Sequence, residues 1–403
     1  MWAALLFKTL IKVGKLTFQD ARGKVHVFEG LPGPNVAIRS HSLALERRIL
    51  FTPKLAIGEG YVSGELEITD GSLFEFLDLC MANVRYLDDM PGQGWAEFRR
   101  RLIALWRSYN PISLAAPKVR HHYDLKDSLF DLFLDSDRQY SCAYFRTPND
   151  SLAQAQEQKK RHIAAKLCLE DGQKVLDIGS GWGGLALSLA RYRQIEIDGV
   201  TLSREQHRYS QERANDAGVA DHVRFHLQDY RQVAGKFDRI VSIGMLEHVG
   251  PRHYGEYYRT INNLLTDQGV ALIHSIGKFH SPAPLNPWMD KYIFPGAYTP
   301  TLAEQTRAIE KAGLLITDVE ILRIHYADTL KAWRRRFHAS IDAITDMYDD
   351  EFCRMWDFYL AGCEAAFRRG ELMVFQIQLT KSVDTVPITR DYISEFKNSL
   401  PTF

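Results

Sequence analysis

One short run, Val175-Leu176-Asp177-Ile178-Gly179-Ser180-Gly181-Trp182-Gly183-Gly184, constrains the fold of this chain more than any other part of it. An apolar stretch interrupted by Asp177 runs into a cluster of glycines. A helical pattern, Leu185-Ala186-Leu187-Ser188-Leu189-Ala190, follows at once. That order predicts a strand, a tight turn and a helix N-terminus. Glycines let the backbone take left-handed angles and let a bound group come close to main-chain N–H groups. In an open parallel sheet such a turn lies at the carboxyl end of a strand, where nucleotide-like ligands bind.

Further strands are read at Ile197–Leu202, Val223–Leu227, Arg239–Ile243 and Val270–Ser275, with helical segments between them. The alternation predicts an α/β fold with a doubly wound parallel sheet. Two ligand classes compete for the glycine turn. Gly179, Gly181 and Gly184 fit the G-x-G-x-x-G dinucleotide pattern, which alone is weak. A dinucleotide site also expects an acidic residue at the end of the next strand. That strand ends in Thr201, and its acidic residues, Glu196 and Asp198, stand at its beginning. With Asp177 just before the glycines, the turn instead resembles motif I of class I S-adenosylmethionine (SAM) methyltransferases.

Several longer motifs narrow the resemblance. His122-Tyr123-Asp124-Leu125-Lys126-Asp127-Ser128-Leu129-Phe130 is followed in order by Tyr140-Ser141-Cys142-Ala143-Tyr144-Phe145 and Gly199-Val200-Thr201-Leu202-Ser203-Arg204-Glu205-Gln206. Leu227-Gln228-Asp229-Tyr230-Arg231, Ser242-Ile243-Gly244-Met245-Leu246-Glu247-His248-Val249-Gly250, His274-Ser275-Ile276-Gly277 and Phe294-Pro295-Gly296 continue the series. From about His121 to its end the chain resembles bacterial cyclopropane-fatty-acyl-phospholipid synthases and their mycolic-acid-modifying relatives. The resemblance implies a class I SAM-methyltransferase fold that adds a methylene across the cis double bond of unsaturated phospholipid acyl chains. Neighbouring outcomes of the same chemistry are a methyl-branched or methylenated chain, and a lipid carrier with a degenerate fold is the non-enzymatic alternative.

For SAM, Gly179, Gly181 and Gly183 are expected along the methionine part, beside Asp177. Thr201, Ser203 and Gln206 match the family's ribose-side motif, and Asp229 with Tyr230 its adenine-side motif. Tyr140 and Ser141 are expected to close over the cofactor. Ordinary loop chemistry competes for some of these, Ser203 being well placed as a helix N-cap. The resemblance further implies that Glu247, His274, Tyr326, Cys142 and the backbone of Ile276 surround a bicarbonate ion that serves as the base. Each also has a plainer reading: Glu247 could cap the helix beginning near Pro251, His274 could be a core histidine, and Tyr326 could be a buried tyrosine. Cys363 matches a family cysteine proposed as catalytic, although the chemistry needs no thiol nucleophile. No metal is expected.

Lysine plus arginine and aspartate plus glutamate each number 50, so overall charge recruits neither nucleic acid nor anionic lipid. The 5 cysteines lack zinc or paired spacing and suit reduced cytosolic thiols. No apolar run approaches a membrane span, and the first residues do not read as a signal peptide. These features suit the cytoplasm, and the resemblance implies a peripheral place at the inner face of the cytoplasmic membrane, with phospholipid as partner and a homodimer left open.

Residues 1–110 are expected to form a smaller N-terminal α+β domain, which the resemblance makes a lipid-binding and delivery module. Leu16–Phe18 and Val25–Phe28 read as a hairpin, Leu31–Asn35 and Gly58–Gly60 as turns, and Leu73–Leu79 as a helix. Residues 111–120 are the expected linker. The catalytic domain is placed at 121–403, with cap insertions at about 278–300 and 329–368. Aromatic residues of the second insertion would line an acyl channel or simply pack a core. The first helix, carrying Trp2, Leu5, Leu6 and Leu10, would lie in a membrane interface or pack in its domain.

Overall fold

The computed structural model describes residues 2–88, 125–280, 282 and 285–400. The expected linker at 111–120 and the head of the motif series at His122–Asp124 lie outside them. The chain divides into two compact units.

The first unit holds the described parts of 1–104, 283–295 and 327–372. Its four-stranded sheet contains β1 (Val13–Gln19), β2 (Val25–Glu29), β3 (Leu31–Ser40) and β4 (Leu66–Asp70) in the order β2-β1-β3-β4. The expected hairpin forms, with Leu16 opposite Phe28 and Phe18 opposite His26. Leu16, Phe18, Val36 and Ile38 bury one face against the helices Trp2–Leu10 and Leu43–Phe51. Two expected turns are absent. Leu31–Asn35 begins β3, because a bulge absorbs Pro32-Gly33-Pro34: Leu31 faces Val13 while Asn35 already faces Lys15. Gly58 and Gly60 lie inside the helix Pro53–Val62. A Cβ on Gly58 would come 2.5 Å from Trp288, and one on Gly60 2.6 Å from Leu45, so these glycines permit close packing. The two segments expected as caps contribute the helices Pro287–Tyr292 and Asp350–Arg368 to this unit. Trp288, Trp333, Phe337, Trp356 and Tyr359 are buried there.

The second unit holds the described parts of 105–282, 296–326 and 373–403. Its sheet contains β5 (Lys174–Ile178), β6 (Glu196–Thr201), β7 (Val223–Leu227), β8 (Phe237–Ile243), β9 (Leu265–Lys278), β10 (Leu315–Ile321) and β11 (Leu372–Thr380). Their order is β10-β11-β9-β8-β5-β6-β7. All five strands expected from the sequence form and pair in parallel. The antiparallel pair β10 and β11 extends the sheet beyond them. Strand alternation sends Leu176, Ile178 and Ile240 to one core, with Tyr257 and Ile261 of the helix Tyr254–Leu264. Val175, Ile197 and Val241 go to the other, with Leu185 and Leu189 of the helix Gly184–Tyr192. Covering both faces of a parallel sheet in this way requires the near-continuous apolar strands seen here. Strand order reverses at β5, which opens a crevice outside the carboxyl ends of β5 and β8.

Candidate active site

The turn after β5 places three glycines at positive φ: Gly179 at 83°, Gly181 at 56° and Gly183 at 79°. Gly179 and Ser180 donate their N–H groups to Val200 O of β6, at 2.9 and 3.0 Å, which pins the turn to the sheet. The glycines serve different ends. A Cβ on Gly183 would sit 2.7 Å from the Phe225 ring, so packing demands glycine there. A Cβ on Gly181 would meet nothing within 4 Å, so this backbone faces open space. Beside it, Asp177 is 2 % exposed and its Oδ2 lacks a hydrogen-bond partner, as does the buried Ser180 Oγ. Burial pushes the Asp177 carboxyl up to about 7, against the pull of the Lys159 cation. An open backbone flanked by unsatisfied buried polar atoms fits a polar ligand.

The expected ribose-side residues interlock. Thr201 Oγ1 donates to Gln206 Oε1 at 3.1 Å and accepts from Ser203 N–H at 3.2 Å. Ser203 Oγ caps the helix Arg204–Asp216 by accepting from Gln206 N–H. Asp229 caps the short turn Tyr230–Gln232, and Arg231 grips its two carboxylate oxygens at 2.8 and 2.7 Å. Both oxygens of that carboxylate are thus engaged by a guanidinium. Tyr230 packs edge-on against Tyr257.

The second cluster gathers on β8 and β9. Ile243 pairs with His274, and Gly244 N–H donates to His274 O at 2.9 Å, so the loop carrying Glu247 starts beside His274. Glu247 Oε1 accepts the Ile276 N–H at 2.7 Å. That N–H is thereby committed to the carboxylate. Glu247 Oε2 is buried without a partner, and burial pushes the carboxyl up to about 7. Glu247 does not cap the following helix, whose N-cap position is His253. His274 is 3 % exposed and held neutral, its pKa pulled down to about 3 by burial and by the Lys159 and Lys166 cations.

Cys142 and Tyr326 are joined through another contact. The Tyr144 ring stacks on His325 at 4.8 Å and on His162 at 4.4 Å, and His325 Nδ1 accepts the Phe145 N–H. This fastens the Cys142–Phe145 segment to the first turn of the helix His325–Ala339, where Tyr326 is buried. Cys142 is fully buried. Cys363 stands apart in chemistry: it lies in the first unit, and burial pushes its thiol up to about 12, far from thiolate formation.

Three polar residues unmarked in the sequence support these groups. Gln156 Nε2 donates to the carbonyls of Gln139 and Ser141, at 3.1 and 3.0 Å. Lys159 Nζ donates to Gln139 Oε1 and, at 2.9 Å, to Ser141 Oγ. Both are fully buried on the helix Leu152–Lys166 and hold the Tyr140–Cys142 segment. Burial pulls Lys159 down to about 8, and its charge acts on Cys142, Asp177 and His274. The third, Gln376 on β11, meets His274. Its only sequence signal is a glutamine inside the apolar run Met373-Val374-Phe375-Gln376-Ile377.

The strand order, the glycine turn after β5 and the acidic residue before it define a class I SAM-methyltransferase fold. Within that class the chain belongs to the mycolic acid cyclopropane synthetase family, whose model matches residues 113–377. It is 36% identical to the cyclopropane-fatty-acyl-phospholipid synthase of Escherichia coli, over 84% of this chain and 86% of that one. A probable fatty acid methyltransferase of Pseudomonas putida is 33% identical, over 87% and 88%. Among solved structures, the mycolic acid cyclopropane synthase CmaA1, complexed with SAH and CTAB, is 31% identical with a TM-score of 0.63. That match covers 66% of this chain and 97% of CmaA1.

Proposed function

We propose that this protein is a SAM-dependent cyclopropane-fatty-acyl-phospholipid synthase. The observation that carries the reading is the pairing of two features at the carboxyl edge of one sheet. One is the open Gly181 backbone beside unsatisfied Asp177; the other is Glu247, with a buried unpartnered oxygen, on the neighbouring strand's loop. SAM, when bound, supplies an electrophilic methyl group. Asp177, Gly179 and Gly181 would bind its methionine part, with Gly183 keeping the turn packed against Phe225, while Thr201, Ser203 and Gln206 would bind its ribose and Asp229 and Tyr230 its adenine. Tyr140 and Ser141, braced by Gln156 and Lys159, close over it. The alkene of an acyl chain would take up that methyl group as its bond to sulfur breaks, leaving a cation on the chain, and loss of a proton from the new methyl group to a base would close the ring.

Glu247, His274, Tyr326 and Cys142 would hold bicarbonate, which would supply a base there, and the Ile276 N–H, taken by Glu247, would orient that carboxylate rather than bind the ion. Glu247 suits this because a carboxyl poised near neutrality can accept or donate beside an anion. We further infer that the first unit docks on phospholipid at the inner face of the cytoplasmic membrane. No described helix is long and apolar enough to cross a membrane. Trp2 and Leu5 are 44 % and 64 % exposed on a helix whose other face is buried, a pattern that suits interfacial contact.

Mass spectrometry of lipids from cells with and without the chain tests the reading. Cyclopropane acyl chains appearing at the expense of unsaturated ones are expected. Methyl-branched or methylenated chains would reassign the product, and unchanged lipids would overturn the enzyme. Turnover on vesicles in carbonate-depleted buffer should fall and recover on adding bicarbonate. Undiminished turnover at verified depletion would remove bicarbonate as the base.

A further inference from the structure

Gln376 lies in the middle of β11, fully buried, and its Nε2 stands 3.2 Å from Nδ1 of His274. With the amide nitrogen toward the ring, Gln376 Nε2 donates, His274 Nδ1 accepts and the proton of a neutral imidazole resides on the ring Nε2, while the amide Oε1 is buried without a partner; the opposite amide orientation would put the proton on Nδ1. We propose that Gln376 is a positioning residue that fixes His274 in the Nε2–H tautomer, so that the ring offers a donor to the anionic base. The proposal rests on the reading that His274 faces that base.

Two observations support it beyond the contact itself. The first is that an anion beside Glu247 needs donors. The Ile276 N–H is already given to Glu247 Oε1, and Glu247 brings a further acceptor oxygen with no partner. A histidine presenting a lone pair would add to that excess of acceptors, whereas an N–H relieves it. The second is that burial and nearby cations keep His274 uncharged, so it has one proton to place and its tautomer matters. The residues around the ring agree. Lys159, Lys166 and His162 bear on it electrostatically, and Glu320, opposite Gln376 on β10, is taken up by Lys166 and His162. None of them competes for Nδ1 in the arrangement seen here.

Long-range 15N–1H correlation spectra of the histidine rings read the tautomer directly in the folded wild-type protein. A pyrrole-type Nε2 and a pyridine-type Nδ1 are expected for His274, assigned by the loss of its signal in His274→Ala. The reverse pattern would overturn the proposal, and this reading needs no Gln376 variant to fold. Gln376→Leu should mix the tautomers and lower kcat about tenfold, the worth of one buried hydrogen bond, with SAH affinity unchanged. Gln376→Glu should invert the tautomer, because a carboxylate accepts from Nδ1–H, and cost on the order of a hundredfold in kcat. Wild-type kcat in a folded Gln376→Leu protein would also overturn it. Carbonate depletion tests the base reading separately and leaves the wild-type tautomer untouched, so the two failures look different.

Discussion

Replacing Glu247 by glutamine should stabilise the protein at alkaline pH while impairing it as an enzyme. The side-chain oxygen can still accept the Ile276 N–H that Glu247 Oε1 accepts at 2.7 Å, so the loop keeps its anchor. What disappears is the titration. The carboxyl rises from 4.5 to about 7 on folding, because burial penalises its charged form. A carboxyl whose folded pKa is raised contributes stability that is full below 4.5 and lost as pH rises through about 7. At about 1.36 kcal/mol per unit, the displacement corresponds to about 3 kcal/mol, of which about 2 kcal/mol falls between about pH 5.5 and 8.5. Urea unfolding of both proteins in carbonate-free buffer across that range measures it. The stability difference, Glu247→Gln minus wild type, should rise by about 2 kcal/mol from the acid end to the alkaline end. A difference that stays flat with pH would refute the argument, since Glu247 would then titrate alike in folded and unfolded chains. In the same preparation turnover should fall much more than SAH affinity, because the residue acts on the base.

Gly181→Val should abolish SAH binding in calorimetry, since it fills the open approach at a backbone held at φ 56°. Gly183→Ala should act first on thermal stability, because its Cβ would strike Phe225 at 2.7 Å; equal effects of the two substitutions on both measurements would contradict these separate roles. Lys159→Met should weaken SAH binding about tenfold by freeing Ser141, and adding Ser141→Ala should cost little more; additive losses in this cycle would show that Lys159 does not act through Ser141. Joint replacement of Trp2 and Leu5 by serine should reduce co-sedimentation with anionic and zwitterionic phospholipid vesicles while leaving SAH affinity intact, and undiminished sedimentation would remove the docking role. These substitutions are preferable to deleting 1–110. Arg354 Nε donates to Val62 O and Arg369 pairs with Asp78, so deletion would strip partners from the helix Asp350–Arg368.

The parallel part of the second unit is legible without the structure. Apolar runs of strand length, three glycines at positive φ in the turn after β5, and helical spacing between the strands are local signals. All five of those strands formed where they were read. The motif order likewise carried the family. Glu247 and His274 are brought together by the pairing of their neighbouring strands, with Ile243 opposite His274, a register that only the structure gives. What the sequence left undecided has a different cause. Gly58 and Gly60 look like turn residues until Trp288 and Leu45 fill the space where a Cβ would be. Pro32-Gly33-Pro34 reads as a break until a bulge admits it beside β1. Gln156, Lys159 and Gln376 are ordinary polar letters whose importance comes from complete burial against Ser141 and His274, residues far off in sequence. The grouping of 283–295 and 327–372 with the N-terminal segment is equally non-local. Periodicity reports which face of an element is buried; only tertiary structure decides what it is buried against, and there the buried polar atoms find or lack their partners.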